Sequence, residues 1–345
     1  MKGYLGGVDD DHIRFLCAPG MHRPLVYQEL VAKLGADIVS KYPVYNHNCY
    51  ENLVHIGNTS RGTPLYINRE YVSCDLRIGI GSLIPHGSAG FGGGGKIILP
   101  GIAGIDTVHW HHTKIPRGPA GQKMGVGRVD GNIFRLDIEE AARLADLQFK
   151  VDAVLNGRRE IVGLFAGDFV AAHRAASAVA REVYSTRVVG DADIVVTNSY
   201  PDESQVVRSA WCVPLSLREG GDAVLVTHSY EGDNLHLWAG RFGSDYGGRA
   251  WTAGASARLW DKAGRVVVMA PHLSRRDRDE IGTHDRVIWC RDWGGVLAEL
   301  TARHGARAKV VVYPCAPIQM EGDGGQGCGQ PLPSRTPKSA GAQPE

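Results

Sequence analysis

Hydrophobic positions along the chain change period repeatedly, from the two-residue alternation of strands to the 3.6-residue spacing of helices. Ile13 to Cys17 reads as a short buried strand that runs through Ala18-Pro19-Gly20 into a helix from about Leu25 to Leu34, stopped by Gly35. Leu76 to Ile80 predicts the next strand, followed by a long glycine-rich loop. Ile138 to Leu147 predicts a helix with Glu139 and Glu140 in its first turn, where acidic side chains suit the helix dipole. Strands follow near Phe149–Leu155 and Ile161–Phe165, and Asp168 is read as the cap of a helix from Phe169 to about Tyr184.

The alternation restarts after a boundary near Val188–Asp191. Strands are expected at Ile194–Val196, Ala223–Val226, Val266–Met269, Val287–Trp289 and Val310–Tyr313, with helices at Glu203–Trp211 and Trp293–Arg303. Strands separated by helical stretches predict an α/β protein of two domains, each a mostly parallel sheet with helices on both faces. The expected division is 1–188, 189–319 and a disordered tail over 320–345, rich in Gly, Pro, Ser and Gln. No internal repeat is evident.

Composition narrows the function classes. Lys and Arg number 38 against 37 Asp and Glu, so a large basic face for nucleic acid or an anionic membrane is not expected. No apolar run reaches the roughly 18 residues that span a bilayer. Seven scattered cysteines without a CxxC pair predict reduced thiols and a cytoplasmic location. The 45 glycines are the anomaly. They predict backbone drawn close to something, or adopting positive φ.

Chemistry concentrates between Gly81 and His112. Gly92, Gly93, Gly94 and Gly95 read as a cradle of unshielded N–H groups for a phosphate, ending in Lys96 as a positive charge or a nucleophile. Gly90-x-x-x-x-Gly95-Lys96 fits the first part of a P-loop, but Ile97 stands where that motif needs a magnesium-binding hydroxyl. His109, His111 and His112 offer a second possibility, a zinc-dependent hydrolase with water at an open metal position. That possibility leaves Lys96 and the glycines without a role.

The segment Pro85-His86-x-x-Ala89-Gly90-Phe91-x-Gly93-Gly94-x-Lys96, then Pro100-Gly101 and a histidine pair ending at His112, resembles the signature of the nickel-dependent lactate racemase family. Gly20-Met21-His22-Arg23-Pro24 and the stretch Gly57 to Pro64 are similar to further family segments. The resemblance implies an isomerase, a racemase or epimerase of a 2-hydroxy acid, with its site in the cleft between two domains. It implies a nickel-pincer nucleotide (pyridinium-3,5-bisthiocarboxylic acid mononucleotide) attached to Lys96, with His112 as nickel ligand. His22 and His86 would be the paired acid and base, which suits an imidazole of unperturbed pKa about 6.5.

In the second half, Tyr200-Pro201 followed by Gln205 and Arg208 resembles the family's substrate-facing Gln-x-x-Lys, with arginine in place of lysine. Gly95 likewise stands where the family commonly has arginine. Cofactor-building proteins would be partners, and the choice among 2-hydroxy acids stays open. Family members begin earlier, with an Asp-x-Thr-Arg-Pro element that has no counterpart here. The expectation is an N-terminally truncated chain with an exposed sheet edge and apolar face, and an inactive family remnant is the third possibility.

Overall fold

The computed structural model describes residues 7–117, 124–202, 206–230, 232, 261–272, 278 and 285–322. In chain order its principal elements are β1 (Phe15–Cys17), α1 (Tyr27–Leu34), β2 (Val44–Asn46), β3 (Leu53–Asn58), β4 (Pro64–Asn68), β5 (Ile78–Leu83), α2 (Ile105–Thr113), α3 (Ile133–Leu144), β6 (Phe149–Leu155), β7 (Ile161–Gly167) and α4 (Phe169–Tyr184). Then come β8 (Ala192–Asn198), β9 (Leu217–Val226), β10 (Ala263–Met269), β11 (Val287–Cys290), α5 (Trp293–Arg303) and β12 (Val310–Tyr313).

The second half follows the parallel expectation. Its five strands run in the order β11-β10-β9-β8-β12, and every neighbouring pair is parallel. One face buries Val195, Ala223, Leu225, Val266 and Val268 with Val206, Ala210 and Tyr313; the other buries Ile194, Val196, Val224 and Val267 against Val296 and Leu300 of α5. Burial on both faces explains the unbroken apolar runs in these strands.

The first half is not one mostly parallel sheet. β1 and β2 pair in parallel, β3 and β4 pair as antiparallel strands, and β5-β6-β7 form a mixed sheet. β6 and β7 are antiparallel because the link from Leu155 to Ile161 is too short for a crossover. Core packing centres on Leu65, Ile67, Ile98, Leu99, Val108, Phe134 and Ile138.

Other departures have local causes. α3 starts at Ile133, because the Asn132 side chain accepts the Arg135 N–H as its cap, so Glu139 and Glu140 lie within the helix and not in its first turn. The helix expected over Glu203–Trp211 is a 3-10 segment, Val206–Cys212, among its described residues. The Ser209 hydroxyl bonds back to the Val206 carbonyl three residues earlier. Met320–Glu321, assigned to the tail, form a strand beside Ser185–Thr186, while Cys315 and Ile318 pack with Leu83, Phe91 and Tyr184. Residues 323–345 lie outside the described residues.

The β5-β6-β7 sheet turns apolar side chains outward. Ile80 is 52% exposed, Phe149 41% and Leu164 64%, whereas Lys150 and Asp152 of the same β6 point inward and reach no solvent. Among the described residues no helix is long and apolar enough to cross a membrane.

Candidate active site

Each candidate side chain is fixed by a short, heavily bonded segment. Gly20 N donates to Gly101 O at 2.9 Å and His22 N to Pro19 O at 3.1 Å, so the loop carrying His22 rests on the far end of the glycine loop. The Asn46 amide clamps both backbone groups of Leu25. Arg23 is held in a two-pronged pair by Glu29, which identifies it as a structural arginine.

His86 sits on a two-residue strand paired with Gly90–Phe91. Its Nδ1 accepts the backbone N–H groups of Ser88 and Ala89, and its Nε2 lies 3.1 Å from Lys96 Nζ. Lys96 rides on a 3-10 turn, Gly94–Ile97, not at the start of the long helix a P-loop requires. Burial lowers the Lys96 amine to about 7, helped by the positive charges of Arg135 and Arg208.

The glycine loop differs from the expected cradle. Gly92 N donates to Ile84 O and Gly94 N to the Asp152 carboxylate, so two of the four amides are already bonded within the protein. Gly94 has φ +57, and a Cβ there would lie 3.0 Å from the His173 ring; a Cβ on Gly95 would lie 2.9 Å from Ala142 Cβ. Tight packing, not exposure of N–H groups, is what these positions demand. Carbonyls on the preceding part of the loop are gathered by Arg135, a fully buried guanidinium that donates to Ala89, Phe91, Gly92 and Gly93. His173 Nε2 adds a bond to Gly92 O at 2.9 Å. Sequence reasoning missed Arg135, because nothing in a helix-surface pattern marks an arginine as buried.

The histidine run lies on α2, not in a loop. His111 is fully buried, with Nε2 against Phe134 O at 3.2 Å and Nδ1 against His112. His112 Nδ1 donates to Val108 O at 2.9 Å, which fixes its proton on Nδ1 and leaves the lone pair on Nε2. This is the orientation metal-binding histidines adopt, with the distal N–H on a backbone carbonyl. Burial first, then the neighbouring His111 and Lys96, push His112 well below the ordinary histidine range, so the ring is neutral. The Phe134 ring lies beside His86, His111 and His112 alike. Among the described residues no group of three or more His, Cys, Asp or Glu side chains could hold a metal ion. The zinc site of His109, His111 and His112 is therefore corrected: on one helix, with His111 bonded inside the core, they do not converge.

Arg208 donates to the Asp202 carboxylate and, at 3.0 Å, to Pro85 O next to His86. His22 is depressed by burial, while the charges of Asp202, Arg208 and Lys96 all act on it. His22, His86, Lys96 and Arg208 thus share one electrostatic neighbourhood. The segment from Asn198 to Arg208 follows β8, whose neighbours β9 and β12 lie on opposite sides; ligands of open α/β sheets bind at such a switch point. Gln205 lies outside the described residues.

Residues 4–123 match the lactate racemase N-terminal domain. The lactate racemase of Lactiplantibacillus plantarum is 34% identical over 231 residues, 65% of this chain and 54% of that protein. The lactate racemase of Thermoanaerobacterium thermosaccharolyticum is 31% identical over 238 residues, 66% and 55% of the respective chains. The chain thus spans little more than half the length of the curated relatives it matches.

In fold, the chain resembles the lactate racemase apoprotein from T. thermosaccharolyticum with a TM-score of 0.70 at 24% identity, covering 90% of this chain and 79% of that one. A Thermotoga maritima protein matches with a TM-score of 0.62 at 17% identity, over 90% and 85%. The N-terminal domain match over residues 4–123 and the two relatives above 30% identity show that this chain is similar to lactate racemases, and its fold resembles that of the apoprotein.

Proposed function

We propose that the protein is an isomerase, a racemase or epimerase of lactate or another 2-hydroxy acid, working with a nickel-pincer nucleotide attached to Lys96. The observation that carries this reading is the contact of Lys96 Nζ with His86 Nε2, beside a His112 whose tautomer suits a metal. The residues present fit the group: a lysine amine that would attach it covalently and one neutral imidazole that would hold its nickel. The site lies where residues 1–188 meet residues 189–319, and cofactor-building proteins are the partners that would load it.

When bound, the group supplies a hydride acceptor and donor for the substrate Cα. The protein supplies the rest. Arg208 offers its guanidinium to the substrate carboxylate in exchange for Asp202. His22, neutral by burial, takes the hydroxyl proton from one side, and His86, also neutral, meets the substrate oxygen from the other. Two such groups are needed, because a product of opposite hand presents its oxygen from the opposite direction.

Co-expression with the cofactor-building enzymes tests the reading. Intact-mass analysis should show an adduct on Lys96 with nickel at one equivalent, and enantiopure lactate or a related acid should lose optical purity. An unmodified Lys96 under those conditions would refute it.

A further inference from the structure

The contact between His86 and Lys96 has a direction that is set on the far side of the ring. The turn Gly87–Ala89 delivers two backbone N–H groups, from Ser88 at 3.2 Å and Ala89 at 3.1 Å, onto His86 Nδ1. A ring nitrogen that accepts from two donors carries no proton, so the neutral imidazole has its proton on Nε2. An Nε2–H facing Nζ at 3.1 Å needs a lone pair there, and only the unprotonated amine has one. We propose that the Gly87–Ala89 turn, through the tautomer it imposes on His86, holds Lys96 as a free amine and hence as a nucleophile before any ligand arrives. His86 is in this sense a positioning residue for attachment at Lys96, a role separate from proton transfer to substrate.

The surroundings act in the same direction. Arg135 and Arg208 are the charges that depress the Lys96 amine, after burial. The histidines that feel Lys96 are His22, His86, His111 and His112, and each has its own pKa lowered. An ammonium at this position would face an imidazole N–H and two guanidiniums. The free amine meets a donor it can accept.

The inference takes its purpose, though not its geometry, from the reading of Lys96 as an attachment site. Attachment is an acyl transfer onto nitrogen. The Nζ lone pair forms a C–N bond to the carbonyl or thiocarbonyl carbon of an activated carboxyl derivative. The bond to the leaving group breaks, its electron pair departs with that group, and one amine proton is lost with it. No oxidant or reductant enters. The acylated nitrogen has its lone pair in conjugation and no longer accepts, so the His86 Nε2–H is released for a substrate oxygen.

The test uses the full chain before loading. Trace acetic anhydride, applied across about pH 6 to about pH 10 and read by mass spectrometry of the Lys96 peptide, reports the free amine at each pH. Wild type should label with a midpoint about 7, well below exposed lysines. In His86→Gln the amide can turn its oxygen to Nζ and stabilise the ammonium. The midpoint should then rise by about one unit or more, and labelling at neutral pH should fall at least about fivefold. Nitrogen NMR of the wild-type imidazole should show a protonated Nε2 and a bare Nδ1, which decides the matter even if the variant fails to fold. A proton found on Nδ1, or a His86→Gln profile superimposable on wild type, would overturn the proposal. Both readouts come from unloaded protein, so they are distinct from the missing adduct that would refute the attachment itself.

Discussion

Lys150 Nζ lies 2.5 Å from the Asp152 carboxylate on β6, and neither side chain reaches solvent. The other Asp152 oxygen accepts Gly94 N–H at 2.8 Å, so the pair ties the glycine loop to the sheet below it. Removing one charge of a buried pair leaves the other uncompensated, at a cost of about 3–5 kcal/mol. Asp152→Asn should lower stability by that order in urea titration. An apolar double replacement of Lys150 and Asp152 should recover much of the loss while leaving Gly94 N unbonded.

The neighbour of Gly95 is helix α3. A Cβ would lie 2.9 Å from Ala142 Cβ and 3.1 Å from the Ile138 carbonyl oxygen. Gly95→Ala should therefore destabilise by about 1–3 kcal/mol through overpacking, and Gly95→Arg by more. A thermal melt of Gly95→Arg equal to wild type would show that the loop and helix part easily.

The buried amine at Lys96 sets a pH-dependent trade between stability and chemistry. Its folded pKa, about 7, lies below the unfolded value of 10.5, so the unfolded chain binds the extra proton between those limits. Wild-type stability should rise with pH through that window. Lys96→Met, which cannot be modified, should be more stable than wild type at neutral pH and below. Its advantage should shrink as pH climbs toward the upper limit, and melting both proteins across that range checks the sign.

Arg208 grips Asp202 while also reaching Pro85 O. Arg208→Ala should raise KM for a 2-hydroxy acid at least about tenfold, because it removes a charge-assisted carboxylate contact. Arg208→Lys keeps the charge but loses the fork and should fall between. Initial rates on loaded protein separate these outcomes, and an unchanged KM in Arg208→Ala would remove Arg208 from the substrate site.

Much of the fold was legible where local signals and tertiary demand coincide. Asp168 caps α4 through Val170 N and Ala171 N, and that helix, α5 and β12 occupy the spans that periodicity predicts. Helix α2 was hidden because its buried face mixes polar Thr107 and His111 with apolar Ile105 and Val108, which blurs the hydrophobic period. β6 misleads in another way. Its alternation would place Phe149 and Val151 inside, yet Lys150, Asp152 and Val154 are the buried set. A strand pattern reports that two faces differ, not which one is covered. His22, His86, Lys96 and His112 were singled out by their resemblance to the family's motifs. The side chains that hold them, Arg135, Asp152 and His173, depend on contacts from residues far along the chain and carry no local mark.

A buried guanidinium gathers one side of the glycine loop. Because Arg135 already collects the carbonyls of Ala89, Phe91, Gly92 and Gly93, while Asp152 holds Gly94 N–H, the loop is set when the polypeptide folds. The conformational entropy of that stretch is lost once, at synthesis, and is not charged against the affinity of whatever docks later. Loading then becomes the filling of a rigid mould, and its rate should depend on delivery of the guest rather than on rearrangement of the host.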